Sequence, residues 1–273
     1  VDGRRLEQGT DDAPAAGAPN AAGGPAARAR SVAGVEDLLD LLDGLFAAGG
    51  DRWSPDGSAW WDGFYADRDR PVPFFRAGPD ESLVDWTARG LLPVGGRALD
   101  VGCGPGRDTR WLAEQGWAVD GVDLSAQAIG WAREHAASAP PDVAARLHLV
   151  AGDVFAQPVP ADGYDLVHDS GCFHHLPPHR RISYLALLAR ALRPGGAFAL
   201  TCFAAGRMGS EAPDASFYAT GSLEGGLAYS EADLRRIFAD LDVVEIRPMR
   251  PQPRDGDQFG EDFLLVALFR RPF

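Results

Sequence analysis

Ala98-Leu-Asp-Val-Gly-Cys-Gly-Pro-Gly-Arg-Asp-Thr109 places three alternating glycines where an apolar strand pattern gives way to a helical one. Ala98, Leu99 and Val101 read as a short interior strand, and Arg107 to Glu114 carries helix formers with Trp111 and Leu112 able to face a sheet. Gly102, Gly104 and Gly106 therefore sit at the strand's C-terminal end. Without Cβ atoms the backbone there takes positive φ readily and lets a ligand approach its peptide groups, while the following helix offers free N–H donors. The turn predicts a nucleotide-like ligand. Its spacing is not the Gly-x-Gly-x-x-Gly of dinucleotide folds, whose third glycine would fall at Arg107.

A second strand pattern, Trp117-Ala-Val-Asp-Gly-Val-Asp123, ends in an acid about 20 residues on, where a ribose diol needs a carboxylate acceptor. Strand, glycine turn, helix, strand and acid make one unit suited to an adenosine-containing ligand. From here the chain resembles the class I S-adenosylmethionine-dependent methyltransferases over roughly residues 90 to 273. Leu99 to Gly106 resembles their first motif, Gly121-Val-Asp-Leu-Ser125 their ribose-binding second, and Ala151-Gly-Asp-Val-Phe155, after Arg146-Leu-His-Leu-Val150, their adenine-edge motif. Tyr164 to Gly171 is similar to the fourth strand and its active-site end, and Leu192 to Leu200 to the turn into the fifth.

The resemblance implies S-adenosylmethionine as cofactor, contacted by Asp100, Gly102, Cys103, Gly104, Gly106, Asp123, Leu124, Asp153, Val154 and Asp169, with no metal. It also implies an α/β Rossmann-like fold, a seven-stranded mostly parallel sheet with helices on both faces. A narrower resemblance, carried by the Asp169-Ser-Gly-Cys-Phe-His-His-Leu-Pro-Pro-His-Arg-Arg181 run, is to the thiopurine and tellurite-resistance methyltransferases. The fourth motif lacks the Asn/Asp-Pro-Pro-Tyr/Phe sequence of amine-directed nucleic-acid methyltransferases and has His168-Asp-Ser-Gly171 instead.

Composition sets bounds on that reading. The 273 residues, 45% hydrophobic, suffice for one domain with an extension. Acids outnumber bases 39 to 26, a net charge of -13, which argues against a nucleic-acid substrate and favours a small molecule. No window approaches the ~18 apolar residues of a membrane span. Cys103, Cys172 and Cys202 are widely spaced and suggest neither a disulfide framework nor a zinc cluster, so a reducing, cytoplasmic setting is expected. Every basic residue is arginine, and without lysine Schiff-base, pyridoxal-phosphate and ordinary phosphate-loop chemistry are excluded.

Three regions follow from patterning. Residues 1–30, rich in Ala, Gly and Pro, read as a flexible tail. Residues 31–90 form a cap: an amphipathic helix with Val35, Leu38, Leu39, Leu42, Leu45 and Phe46 at helical spacing, then aromatics at Trp53, Trp60, Trp61, Phe64, Tyr65, Phe74 and Phe75. Acids interrupt the helix's apolar run, so it is not a secretory signal; it packs on the domain or serves a homodimer contact. Residues 91–273 are the core, with helices at Ser125 to Ala137, His179 to Leu192 and Ser230 to Phe238. Strands are expected at Ala197 to Phe203, Val243 to Pro248 and Phe263 to Phe269, the last two as a hairpin adding one antiparallel member.

Methyl transfer requires little of a protein beyond holding the acceptor in line and excluding water. Phenols and alcohols need a base, whereas a thiolate or free amine does not. His174 and His168 are the candidate bases, and Trp61, Tyr65, Phe75, His175 and Arg207 the candidate acceptor contacts. The long connection Ala204 to Tyr229 forms a second wall. His174, His175 and His179 invite a metal site, but Pro177-Pro178 keeps them off one helix face. The expected activity is methyl transfer to a small acceptor, a soft nucleophile such as a thiol before oxygen. The alternatives are a nicotinamide-dependent oxidoreductase and a non-catalytic S-adenosylmethionine-binding protein.

Overall fold

A computed structural model describes residues 32–49, 52, 53, 57–76 and 78–273; the expected tail, 1–30, lies outside them. The apolar periodicity after Ser31 forms α1 (Val35–Asp43), which passes into a 3-10 turn at Gly44–Gly49. Asp37 Oδ2 accepts the Gly34 amide at 2.9 Å and so closes the helix start. Leu39 and Phe46 are buried, while Val35, Leu38 and Leu41 stay exposed, so α1 meets the domain along one edge. α2 (Gly57–Ala66), a 3-10 turn at Pro73–Phe75 and α3 (Glu81–Ala88) complete the cap. Its rings interlock: Trp60, Trp61, Phe64, Tyr65, Phe74 and Phe75 pack with centroids 4.8 to 6.0 Å apart.

The core alternates strand and helix: β1 (Gly96–Val101), α4 (Arg107–Glu114), β2 (Trp117–Asp123), α5 (Ala126–Ala137), α6 (Pro141–Ala144), β3 (Leu147–Ala151), β4 (Tyr164–Ser170), α7 (Arg181–Ala191) and β5 (Leu192–Phe203). α8 (Asp214–Thr220), α9 (Glu231–Ile237), β6 (Asp242–Pro248) and β7 (Leu264–Arg270) follow. The sheet order is β3-β2-β1-β4-β5-β7-β6, and β7 runs antiparallel to both its neighbours. Period-2 alternation along β5 shows how both faces are filled. Phe198, Leu200 and Cys202 join a core with Phe173, Tyr184 and Phe269, whereas Ala197 and Ala199 join one with Trp86, Leu112 and Val266. Among the described residues no helix is long and apolar enough to cross a membrane.

Two boundaries differ from the sequence reading for physical reasons. α7 begins at Arg181, because Pro177 and Pro178 tighten the preceding residues into a 3-10 turn at Pro178–Arg180. β5 starts at Leu192: Tyr164 pairs with Leu192 and Leu166 with Ala197, the Pro-Gly-Gly stretch forming an irregularity between them. The last two strands pair as expected, but their connection returns to the cap, with the Phe259 carbonyl accepting the Glu81 amide at 2.9 Å and the Phe259 amide donating to Pro79 at 2.7 Å.

Strand order reverses between β1 and β4, and the crevice beyond their C-terminal ends is where open α/β sheets bind ligands. Gly102 takes φ +68° there, and a Cβ on it would lie 2.6 Å from Cys172 Cβ. Gly102→Ala is expected to destabilise the fold by about 2 kcal/mol through left-handed strain and overpacking. A drop of roughly 4–8 °C in melting temperature is the predicted readout, and an unchanged value would refute this crowding.

Candidate active site

A cavity of about 660 Å³ opens at this crevice, between the cap and the C-terminal ends of the central strands. Gly102, Asp123, Leu124, Gly152, Asp153 and Val154 line one side, in the order of the first, second and third strand ends. Trp61, Tyr65 and Phe74 come from the cap, and Phe203, Met208 and Phe259 from opposite connections. The wall is therefore largely apolar, with a few charged groups at fixed points.

Asp123, ending β2, accepts the Gly104 amide and the Ser125 amide, each at 2.8 Å. Burial raises its pKa to about 6 against those two donors, and Asp62 adds to the rise. Gly102, Gly104 and Gly106 all have φ between +53° and +81°, the conformation expected of the turn. Beneath it, a Cβ on Gly121 would strike Leu149, Cys103 and Thr109 side chains at 2.9 to 3.2 Å, so the strand pair leaves no room at its end. Asp153 Oδ1 accepts the Phe155 amide at 2.9 Å, which orients that carboxylate. Glycine cradle, ribose-height acid and adenine-edge acid fit the adenosyl group that the motifs imply.

The structure places Asp100, Cys103, Gly104 and Gly106 behind this surface rather than on it. Asp100 is buried, bonded to Thr109 Oγ1 at 2.5 Å, and lifted to about 6 by burial. The Cys103 thiol is buried under the turn, and burial pushes its pKa well up. Asp169, expected at the ligand, is fully buried and absent from the cavity wall. It accepts the amides of Gly171, Cys172 and Phe173 at 2.8 to 3.1 Å and the Tyr184 hydroxyl at 2.7 Å. Its work is to fold the loop after β4.

His168, expected as a base, is also buried away from the cavity wall, in a charged cluster. Arg107 lies 2.5 Å from Asp80 Oδ1 and 3.2 Å from Asp108 Oδ2, and donates to Ser170 Oγ at 2.7 Å. Its guanidinium sits 4.0 Å from the Phe259 ring centroid. Asp108 Oδ1 accepts the Asp80 amide, and Thr201 donates to Asp80 Oδ2, both at 2.8 Å. His168 Nε2 is 3.4 Å from Asp108 Oδ2. Burial opposes charge on His168, but Asp108, then Asp100 and Asp80, outweigh it and bring the pKa up to about 9. The surrounding carboxylates favour the protonated form of His168, which leaves it unsuited to take a proton from an acceptor. Asp80, Asp108 and His168 converge closely enough for a cation, and Arg107 supplies positive charge at that point.

His174 and His175 do reach the cavity. His174 is 3% exposed and stacks on Phe203 with centroids 3.7 Å apart; burial, with repulsion from Arg52, lowers its pKa to about 3. His175 packs edge-on against Trp61 at 5.2 Å and is lowered well below the ordinary imidazole value by burial, His174 and Arg52. Both are neutral. His179 is elsewhere: its Nε2 is 2.6 Å from Asp43 Oδ1 and its Nδ1 3.1 Å from the Tyr218 hydroxyl, so the three histidines do not converge.

Of the remaining acceptor candidates, Trp61 and Tyr65 line the cavity. Phe75 does not; it packs on Trp131 at 5.2 Å, and its neighbour Phe74 faces the space. Arg207 is exposed, 3.6 Å from Asp262, and Met208 takes the place expected of it. The sequence reading missed Arg107, Thr201 and Phe259 as wall residues, and also the cap's tie to the loop after β4. In that tie Asp43 accepts from Trp53 Nε1 at 2.7 Å and from Arg180, which also meets Asp40 at 2.7 Å. The acids spaced along α1 were the available signal.

Residues 98–196 match the sequence profile of a family described as a methyltransferase domain. Over 150 residues the chain is 33% identical to thiopurine S-methyltransferase of Pseudomonas putida (strain GB-1), covering 50% of this chain and 67% of that protein. It is 31% identical over 156 residues to 2-methyl-6-phytyl-1,4-hydroquinone methyltransferase of Synechocystis sp. (strain ATCC 27184 / PCC 6803 / Kazusa), covering 54% and 47%. The chain spans about half the length of several curated relatives it matches, 47%, 48% and 57% for three of them. A solved structure described for the conversion of a disulfide bond into a thioacetal group during echinomycin biosynthesis superposes with a TM-score of 0.58 at 25% identity, covering 79% of this chain and 92% of that one.

The charged cluster predicts a pH dependence of stability. His168 has a folded pKa of about 9, above the ordinary 6.5, so its contribution is full below 6.5 and disappears as pH rises through 9. A loss on the order of 3 kcal/mol between pH 6.5 and 9.5 is expected in denaturant unfolding, flattened in His168→Asn. Asp100, Asp123 and Asp169, raised to about 6, act in a separate window between their ordinary 3.8 and 6. A flat wild-type profile above pH 6.5 would contradict the imidazolium.

Proposed function

We propose that this chain, which belongs to the class I S-adenosylmethionine-dependent methyltransferases, moves a methyl group from S-adenosylmethionine to a small acceptor that arrives with its lone pair free, a thiolate before an alcohol or phenol. The placement of the two candidate bases carries the acceptor class: His168 lies off the cavity wall beside Asp108, which favours its protonated form, and His174 is buried against Phe203, which disfavours its taking a proton. The relative named as a thiopurine S-methyltransferase and the neighbour described in thioacetal formation support sulfur. Ubiquinone biosynthesis O-methyltransferases are relatives too, so the preference rests on the histidines rather than on kinship.

When bound, S-adenosylmethionine supplies a methyl group already activated by its sulfonium, and transfer is an in-line displacement. The core, 91–273, holds the cofactor: Asp123 accepts from the ribose hydroxyls, Asp153 from the adenine amine, and Leu124 and Val154 flank the base. The turn opens the cavity at Gly102, whose backbone comes close to the methionyl part. The cap, 31–90, covers the cavity with Trp61, Tyr65 and Phe74, and with Phe203 and Met208 opposite it keeps water from the sulfonium. No proton has to move through a side chain when the acceptor is a thiolate.

Initial rates of S-adenosylhomocysteine release separate the acceptor classes. At pH 7.5 benzenethiol is expected to exceed phenol by about 100-fold or more, the scale of absent base catalysis. Comparable rates, with a limb near pH 6.5 for phenol, would overturn the reading. For the cofactor, Asp123→Ala should weaken S-adenosylmethionine binding by about 1–3 kcal/mol in calorimetry. Wild-type affinity should also fall as pH drops below about 6, where Asp123 takes up a proton and stops accepting. Unchanged affinity in both experiments would reject Asp123 as the ribose acceptor.

A further inference from the structure

Four rings line the cavity in an unbroken row. Phe203 stacks on His174 with centroids 3.7 Å apart, His174 meets His175 at 4.2 Å, and His175 meets Trp61 at 5.2 Å. The two inner rings are imidazoles, and among the described residues Nδ1 of each is buried without a hydrogen-bond partner. Backbone fixes them in place. The His174 carbonyl accepts the Leu227 amide at 2.7 Å, and the His175 amide donates to Cys172 at 2.9 Å. Gly226 is hemmed in beside them, since a Cβ there would lie 3.1 Å from His175 Nδ1.

A neutral imidazole carries one N–H donor and one bare acceptor nitrogen. Buried polar groups are normally paired, so two adjacent unpaired imidazoles in an aromatic wall are suited to a ligand's polar edge. The flanking Phe203 and Trp61 faces favour a flat partner, because offset and edge-on ring contacts add to area burial. An aliphatic acceptor would leave both imidazoles unsatisfied, and sites built to pair a polar group discriminate strongly against analogues lacking it.

We infer that the acceptor is a planar ring bearing an N–H or O–H at its edge, and that His174 and His175 are the residues that select it. This rests on the methyl-transfer reading for its meaning in turnover, but recognition of the ring is separately measurable. Arg52, also on the wall, has its guanidinium 4.9 Å from the ring centroid of Trp60, which packs against Trp61 at 4.8 Å.

The test is calorimetric binding of two flat thiols to the full chain saturated with S-adenosylhomocysteine: 2-mercaptobenzimidazole, with ring N–H groups, and naphthalene-2-thiol, with none. The wild type is expected to prefer the first by about tenfold or more, the scale of one or two hydrogen bonds. His174→Phe and His175→Phe should each erode that preference, the pair reducing it to within about twofold, while His174→Gln, which retains a donor and an acceptor, keeps part of it. Affinity for S-adenosylhomocysteine monitors folding of each variant. No preference in the wild type, or one that survives both phenylalanine substitutions, overturns the inference. Release of S-adenosylhomocysteine from S-adenosylmethionine with the same thiols reads the other question: ring binding without release would overturn methyl transfer and leave ring recognition standing.

Discussion

Arg107, half-buried on the cavity wall, and His168, buried with Asp80, Asp108 and Asp100 beneath the β1–β4 crevice, form the charge cluster on which the site depends. It joins α3, α4, β4 and, through Thr201, β5, and Phe259 closes it from the connection before β7. Charges taken out of water are tolerated only when paired and hydrogen-bonded, and removing one partner leaves another uncompensated. The cluster therefore fixes the floor of the cavity. It also takes in the one histidine on β4, whose carboxylate neighbours favour its charged form.

Burial has opposite results at two histidines six residues apart. Carboxylates around His168 favour its charged form; His174, stacked on Phe203 and beside His175, is buried near the positive Arg52, which favours its neutral form. Asp169 makes this possible, since its carboxylate collects three backbone amides and the Tyr184 hydroxyl and so turns the chain from β4 into the loop that carries His174 and His175. On the cap side, Asp43 performs a similar role by joining Trp53, His179 and Arg180. The cavity thus has a largely aromatic half, with Arg52 on its wall, which the proposed reading gives to the acceptor, beside a half marked by Asp123 and Asp153, which it gives to the cofactor. That division matches a reaction in which the cofactor carries the activation and the protein supplies position and dryness.

The cofactor half was legible because its signals are local: glycines that need positive φ, an acid at the end of the next strand, and alternating elements that dictate a parallel sheet. The acceptor half was legible only in outline. Trp61 and Tyr65 were found from density of aromatics, but the short Pro73–Phe75 turn sets Phe74 rather than Phe75 toward the cavity, a phase that no periodicity over three residues can reveal. Arg207 and Met208 differ in the same way within an irregular connection. Phe259 meets Arg107 across about 150 residues of chain, and nothing near either residue announces the contact. The charge state of a histidine is a property of its neighbours in space, so His168 and His174 looked alike in sequence and differ in the folded chain.

The protonation states of His168 and His174 decide which acceptors the cavity can serve. Imidazole chemical shifts of His168 and His174, followed by NMR from pH 5 to 9 on the S-adenosylhomocysteine complex, measure them directly. His168 should remain protonated through pH 8 and begin to titrate only near 9, while His174 should remain neutral across the whole range. A titration of His174 between pH 6 and 7.5 would supply the general base that the account denies and would contradict it.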